Sequence, residues 1–544
     1  MPRLISDPGH PAWPAFLTYL QRAAAAQQNG LAEARSIWLE AATLLQALDH
    51  GAISPVIAGL LQQHRHHDAI ALAAIIAQLQ PHNAFASFQL GYALQMVTRH
   101  HDAIAAYRRA LVLDPELPQL RNNLAGALAI TGGDVAEQVA LLESAVTADP
   151  ANSDAWTNLA QASRFAMNLP RALAAGQRAL ELAPDSPMAL NNYALALKEA
   201  QRWDDAGRLA EAACERAPND ATLRCNLAML YLVRGAHERG WSAHEARWQG
   251  SLELGGNRPA MPVPQWQGEP LAGKTLLLWG EQGMGDLLQC CRFVPQLAAR
   301  VHAEGGRILW NSFPQMGALL ERSLAQHVDG YSAGGGVESL PPFDYEIPLL
   351  SVPYVLGTRA DTVPGAVPYL HPDAGASASW RARLAGEKRL KVGLAWTGSL
   401  NHQRNPFRRV GWERYANAFA AIDGVAFYSL QHGAAADVAA ARAAGLEMSD
   451  YSAGLSNFDD TAAFVSALDL VITVCTSVAH LSGAIGRRTW VLLDVNPHWT
   501  WLLERRDSPW YPDVTLYRQP QFGQWEPVLE VVARDLAALA LRGA

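Results

Sequence analysis

The chain has 544 residues, half of them hydrophobic, and a mean hydropathy near zero. That length exceeds one ordinary core, so two or more domains are expected. The net charge of −8 argues against broad nucleic-acid binding. No apolar run reaches the ~20 residues of a bilayer span. The start, Met1-Pro-Arg-Leu-Ile-Ser-Asp7, lacks the apolar core and cleavage site of a secretory signal. Five cysteines, Cys214, Cys225, Cys290, Cys291 and Cys475, are odd in number and without metal-ligand spacing, which fits reduced thiols in a cytoplasmic protein.

The first ~250 residues are rich in Ala, Leu and Gln and read as helix almost throughout. Pro81, Pro115, Pro150, Pro184 and Pro218 are spaced by 34, 35, 34 and 34 residues. Ala69, Ala103, Ala172 and Ala206 stand twelve residues before four of these prolines; Ala110, Ala145, Ala179 and Ala213 stand five before four of them. Small residues at fixed phase let paired helices pack closely, and each proline ends the second helix of a pair. The pattern resembles the tetratricopeptide repeat, whose stacked helix pairs form a superhelix with a concave groove. Residues 1–65 also read as helical, with a blurred repeat phase suited to a degenerate or capping pair.

Asn123, Asn158, Asn192 and Asn226 recur at 35, 34 and 34 residues, and Gln89 holds the same phase one repeat earlier. In tetratricopeptide proteins this phase faces the groove. An amide donates and accepts, so such a ladder can grip a peptide backbone whatever its side chains. The alternative is that these residues cap or bridge neighbouring repeats.

Between about 250 and 270 the pattern changes. Gly255, Gly256, Pro259, Pro262 and Pro264 mark a non-helical connection. From Lys274 onward, short apolar runs alternate with helical stretches: Leu276–Trp279, Arg307–Trp310, Val392–Trp396, Val425–Leu430, Leu470–Val474 and Thr489–Leu493. Such alternation argues for doubly wound parallel sheets. Pro364, Pro368, Pro372 and Gly375 read as an interdomain linker. The expected organisation is a repeat domain over 1–250, a linker over 251–272, and Rossmann-like domains over 273–372 and 373–544. Two such units facing each other leave a cleft at the carboxyl ends of their strands.

Four segments carry candidate chemistry. Trp279-Gly-Glu-Gln-Gly-Met-Gly-Asp286 leads from a strand into a helix; its glycine spacing matches neither the dinucleotide fingerprint nor a P-loop. Asp286 at that helix start is either a plain cap or a base for an attacking hydroxyl. Val392-Gly-Leu-Ala-Trp-Thr-Gly-Ser399 ends a buried strand at a polar turn around Thr397 and Gly398. The following loop brings Arg404, Arg408 and Arg409, which would neutralise a diphosphate or merely be solvated. Tyr428-Ser-Leu-Gln-His-Gly433 places Gln431 at another strand end, and with Phe458-Asp-Asp-Thr461 it would read a nucleoside. Finally, Leu470–Val474 runs into Thr476 and Ser477, both N-cap types, and then into a helix carrying His480. Free N–H groups and a helix dipole at one spot suit a phosphate or diphosphate. The aromatics of Asn496-Pro-His-Trp-Thr-Trp501 are expected to pack the closing helix. No Asp-x-Asp or zinc spacing occurs, so no metal clamp and no cofactor are expected. Gly330-Tyr-Ser-Ala-Gly334 matches the hydrolase elbow by letters only, since more glycine and two prolines follow it.

Taken with Gly240-Trp-Ser-Ala-His-Glu-Ala-Arg-Trp248, Trp266-Gln-Gly-Glu-Pro-Leu-Ala-Gly273, Ser429-Leu-Gln431 and Thr476-Ser-Val-Ala-His-Leu481, these motifs resemble bacterial glycosyltransferases that carry N-terminal tetratricopeptide repeats. The catalytic half is similar to the ADP-heptose heptosyltransferases. The resemblance implies the GT-B fold and an inverting transfer, with Asp286 matching the acidic base and Thr476, Ser477 and His480 the phosphate-binding helix start. The repeat domain of O-linked N-acetylglucosamine transferases carries a similar amide ladder. Many relatives have Asp where this chain has Cys475, which leaves either a different donor contact or a catalytically weakened scaffold.

The expectation is thus an α solenoid followed by two doubly wound Rossmann-like domains. It would transfer sugar from a nucleotide-sugar co-substrate to a protein acceptor, such as a flagellin or another surface protein. The ladder of Gln89, Asn123, Asn158, Asn192 and Asn226 would hold that acceptor. Lipopolysaccharide or another glycan is the alternative acceptor.

Overall fold

The computed structural model describes residues 53–543 except Gln282, together with scattered positions between 14 and 44. Most of the blurred segment 1–65 therefore lies outside the described residues. The chain divides into two compact units, residues 1–196 and 197–544.

Helices follow in antiparallel pairs: Ile53–Gln62 with His66–Leu79, Ala84–Met96 with His100–Leu113, Leu120–Ile130 with Val135–Ala148, Ser153–Phe165 with Leu169–Leu182, and, in the second unit, Ala221–Val233 with His237–His244; Pro187–Glu199 and Trp203–Arg216 come between them in sequence. Each repeat proline, from Pro81 to Pro218, falls two residues after the second helix of its pair. Ala69, Ala103, Ala172 and Ala206 are fully buried, as are Ala110 and Ala179, with Ala213 at 1% exposure. A methyl group at these phases lets the helix backbones meet without voids. The 34-residue spacing therefore encodes the observed pairs.

Among the described residues ten strands build two parallel sheets: β1 (Thr275–Trp279), β2 (Arg307–Asn311), β3 (Gly330–Ser332), β4 (Tyr345–Pro348), β5 (Leu390–Ala395), β6 (Val425–Ser429), β7 (Met448–Asp450), β8 (Leu470–Val474), β9 (Thr489–Leu493) and β10 (Val514–Arg518). The first sheet runs β3-β2-β1-β4 and the second β10-β9-β8-β5-β6-β7. Both orders start at a central strand, proceed outward, and return to its other side. This is the doubly wound topology, with switch points between β1 and β4 and between β5 and β8. The fold is therefore an α solenoid followed by two Rossmann-like sheets, the GT-B architecture. The six strands expected from sequence are present. Four strands were missed: β3 and β7 because three residues carry no periodicity, β4 because a buried Glu346 interrupts its apolar run, and β10, whose Val-Thr-Leu-Tyr-Arg run mixes polar and apolar residues.

The last repeat helices belong to the second unit. Leu232, Val233 and Trp241 share one apolar core with Leu276, Leu278, Val294 and Trp499. Trp241 Nε1 donates to Thr358 O at 2.8 Å, and the Trp248 ring packs on Trp279 with centroids 5.5 Å apart. The Gly240–Trp248 motif is thus a structural anchor. The proline-rich stretches are also tied down: Trp266 N donates to Glu346 O at 2.8 Å, and Tyr369 N to Ala484 O at 3.0 Å. The far face of the second sheet is closed by the terminal helix Glu526–Gly543 through Val528, Leu529, Val532 and Leu536.

Candidate functional site

β1 ends at Trp279, and the chain turns through Gly280 and Glu281 into the helix Met284–Cys290. Gly283, the N-cap, has φ +108°, and a Cβ on it would lie 2.5 Å from Asp286 Oδ2. Only glycine permits that backbone and leaves room for the carboxylate. The turn rests on a buried ion pair. Arg247 Nε and Nη2 each donate to Glu281 at 2.8 Å, and Leu350 N donates to Glu281 Oε1 at 2.9 Å. Leu350 follows β4, so Glu281 bridges the first switch point.

At the second switch point, β8 leads into the helix Ser477–Ala484 with Thr476 as N-cap. The Thr476 hydroxyl makes no capping bond, and Thr476 and Ser477 are half-buried. The strand–turn–helix expected from sequence is thus present, with the Thr476 hydroxyl unused as a cap. This helix start lies against the Asp286 turn. A Cβ on Gly285 would be 3.2 Å from His480 Cδ2 and 3.6 Å from Ser477 Cα. The two glycine- and threonine-marked turns, almost two hundred residues apart in sequence, pack against each other.

Asp286 keeps 32% of its side-chain exposure there, with Oδ1 3.7 Å from His498 Nε2. Burial among low-dielectric walls, then the Glu281 charge, push its carboxyl up to about 7 against the pull of Arg408 and Arg247. Such a group gains and loses a proton near neutrality, as a general base must.

The basic loop is used unevenly. Arg404 is bound by Glu199 and Asp494, at 2.7 and 3.0 Å, so its charge is already matched by two buried carboxylates. Arg409 is exposed. Arg408 lies against Gly398, and its buried Nε has no hydrogen-bond partner. Its field reaches Asp286, Cys475, His480 and His498. Of the three, Arg408 is the cation aimed at the cleft.

The N–H groups of Thr397 and Gly398 are occupied, donating to Gln431 Oε1 at 3.1 Å and Asn405 Oδ1 at 3.0 Å. Gln431 therefore shapes the turn after β5. Asn405, unmarked by sequence reasoning, does the same. Asp459 pairs with Arg322 of the first domain, and the Asn457 side chain caps the N–H groups of Asp459 and Asp460. That segment clasps the two domains together. His480 is buried, its Nδ1 3.0 Å from the Tyr511 hydroxyl and its ring stacked on Trp501 at 5.2 Å. Burial first, then Arg292 and Arg408, push its pKa down to about 3, so it is neutral and packs the helix. Cys475 is equally enclosed. Trp501 Nε1 donates to its sulfur at 3.1 Å and burial pushes the thiol up, the surroundings of a filler at a strand end. Trp499 and Trp501 pack on Trp241 and His480 rather than on the terminal helix as expected from sequence, whereas His498 between Pro497 and Trp499 points to Asp286, which no local pattern announces.

Within the repeat unit, Asn123 and Asn158 line a groove of about 270 Å³ with Gln95, Asn122, Asp154 and Thr157. The amides also bridge repeats. Asn158 Nδ2 donates to Asn122 Oδ1 at 2.8 Å, and the buried Asn192 donates to Thr157 O at 3.3 Å. Gln89 is half-buried on its helix, and Asn226, in the second unit, is half-buried as well. Both readings of the ladder thus find a physical basis at different positions. Among the described residues no cluster of His, Cys, Asp or Glu is arranged to hold a metal ion, and no helix is long and apolar enough to cross a membrane.

Fold and site together define a helical-repeat protein joined to a two-sheet α/β module with its polar cleft at the strand ends. No family model matches the chain. Protein FlbA of Caulobacter vibrioides (strain ATCC 19089 / CIP 103742 / CB 15) is similar to it, 29% identical over 504 residues that cover 86% of this chain and 81% of FlbA. Solved structures similar to parts of the chain include MamA, 18% identical over 31% of this chain and 96% of that one at a TM-score of 0.27. Another is pilF of Pseudomonas aeruginosa, 21% identical over 38% and 94% at 0.32.

Proposed function

We propose that the chain is an inverting, metal-independent glycosyltransferase that moves a sugar from a nucleotide-sugar donor to a hydroxyl of a protein acceptor held by the repeats. A flagellin or another surface protein has the required chemistry. The observation that carries this reading is the contact of the Asp286 turn with the Thr476 helix start, at the strand ends of two doubly wound sheets. Asp286 takes the proton of the acceptor hydroxyl as its oxygen attacks the anomeric carbon. The bond from that carbon to the diphosphate breaks on the opposite face. The departing charge meets the open helix start at Thr476 and Ser477 and the Arg408 guanidinium. The absence of Asp-x-Asp from the sequence favours leaving-group stabilisation by these groups.

Asp286→Asn should abolish sugar transfer while a nucleoside diphosphate still binds; full transfer by that variant would remove Asp286 from the role. The groove lined by Asn123 and Asn158 supports a peptide acceptor, since paired amides satisfy a backbone without reading its side chains. Combining Asn123→Ala with Asn158→Ala should lower transfer to protein while donor hydrolysis is unchanged. Unimpaired transfer to a glycan by the double variant, with no protein acceptor modified, would point to the glycan instead.

A further inference from the structure

We propose that His498 is a positioning residue for Asp286, a neutral imidazole whose Nε2 lone pair receives the hydrogen of the protonated carboxyl and so strengthens Asp286 as a base. The inference rests on the reading of Asp286 given above and adds a residue to it.

The imidazole is held from behind. Nδ1 lies 2.7 Å from Thr500 Oγ1, and the Thr500 hydroxyl donates to Gln289 Oε1 at 2.9 Å. With its own hydrogen directed at Gln289, Thr500 can only accept from the ring, so Nδ1 carries the proton. The Thr500 N–H reaches Nδ1 only at 3.5 Å, a much longer contact than the 2.7 Å to the Thr500 hydroxyl. Nε2 then turns a lone pair toward Asp286 Oδ1 at 3.7 Å, slightly beyond direct hydrogen-bond length. Contacts of this kind shorten when a substrate closes the site. The ring is also wedged beside Trp499, with centroids 4.9 Å apart.

A lone pair facing a carboxylate repels the ion and binds the acid. It therefore stabilises the state Asp286 enters when it has taken the acceptor's proton. Burial first, then the neighbouring His480 and His402 and the Arg408 guanidinium, keep His498 well below its usual pKa, so it stays neutral throughout. The charged and titratable groups facing the pair are Glu281, Arg408, Arg247 and Glu253 around Asp286, with the buried thiols Cys290 and Cys475. Around His498 they are His480, His402, His244 and Arg408.

The test follows the carboxyl stretch by infrared difference spectroscopy against pH, assigned by its loss in Asp286→Asn. In the unsubstituted protein it should titrate near 7. His498→Leu keeps water out but removes the acceptor, and the titration should fall by about one pH unit. His498→Gln restores an acceptor oxygen and should hold it near the original value. In parallel, the rising limb of the transfer rate should move to lower pH in His498→Leu, with the donor KM unchanged. A carboxyl titration that is the same in the Leu and Gln variants would overturn the proposal, because burial alone would then account for it. If Asp286→Asn retained full transfer, the base assignment would fail, while the infrared titration would still decide whether His498 governs that carboxyl.

Discussion

Gly285 and His480 are in van der Waals proximity: a methyl group on Gly285 would lie 3.2 Å from the His480 ring. This single approach brings the acidic turn after β1 onto the helix start after β8. Gly285→Ala should be tolerated with a small shift. Gly285→Val should destabilise by about 1–3 kcal/mol, since overpacking a close helix contact forces neighbours off their rotamers. A lower Tm with a weakened nucleoside diphosphate affinity is the expected pair of readouts, by calorimetry and titration.

Arg247 and Glu281 should behave as one unit. Both are almost fully buried, and each satisfies the other with two hydrogen bonds. Removing one partner leaves a buried charge unpaired, so Arg247→Ala should cost about 3–5 kcal/mol. Replacing both with apolar residues of similar volume should cost less than Arg247→Ala alone. Chemical denaturation of the two variants checks the order.

The raised carboxyl of Asp286 has a consequence for stability. Its folded-state pKa, about 7, lies above the ordinary carboxyl value of 3.8. Between those values the folded protein binds more protons than the unfolded chain, so stability falls as pH rises toward 7 and is level above it. Asp286→Asn removes this penalty. The variant should melt above the unsubstituted protein at pH 8, by a wider margin than at pH 5.

Arg404 and Arg408 stand four residues apart and should separate cleanly. Arg404→Ala strands Glu199 and Asp494 as unmatched buried carboxylates and should lower Tm sharply. Arg408→Ala disrupts no ion pair in the structure. It should leave Tm nearly unchanged and reduce transfer about 100-fold, the scale of losing one group that stabilises developing charge.

The strong periodic signals were the legible ones. Prolines every 34 residues and small residues at two fixed phases specify helix pairs, because the packing that uses them is local and repeats. The β-branched runs ending in polar turns made six strands and the two turns that meet at Gly285 and His480 legible for the same reason. What stayed hidden depended on distant partners. His498 has aromatic neighbours in sequence that pack inward, yet it faces Asp286 across the cleft. Arg404 reads as a free cation until Glu199, two hundred residues earlier, arrives beside it. Thr397 and Gly398 have the residue types of a phosphate turn, but Gln431 and Asn405 use their N–H groups.

By itself the sequence determined the repeat architecture, the alternation that builds two parallel sheets, and the polar turns at which β1 and β8 lead into their helices. Each follows from interactions within about forty residues, whose spacing is written in the chain. Only the tertiary structure decided which polar residues remain available. Burial and pairing are properties of neighbours in space, and they leave Asp286, His498, Arg408 and the Thr476 helix start facing one another while neutralising or enclosing the rest.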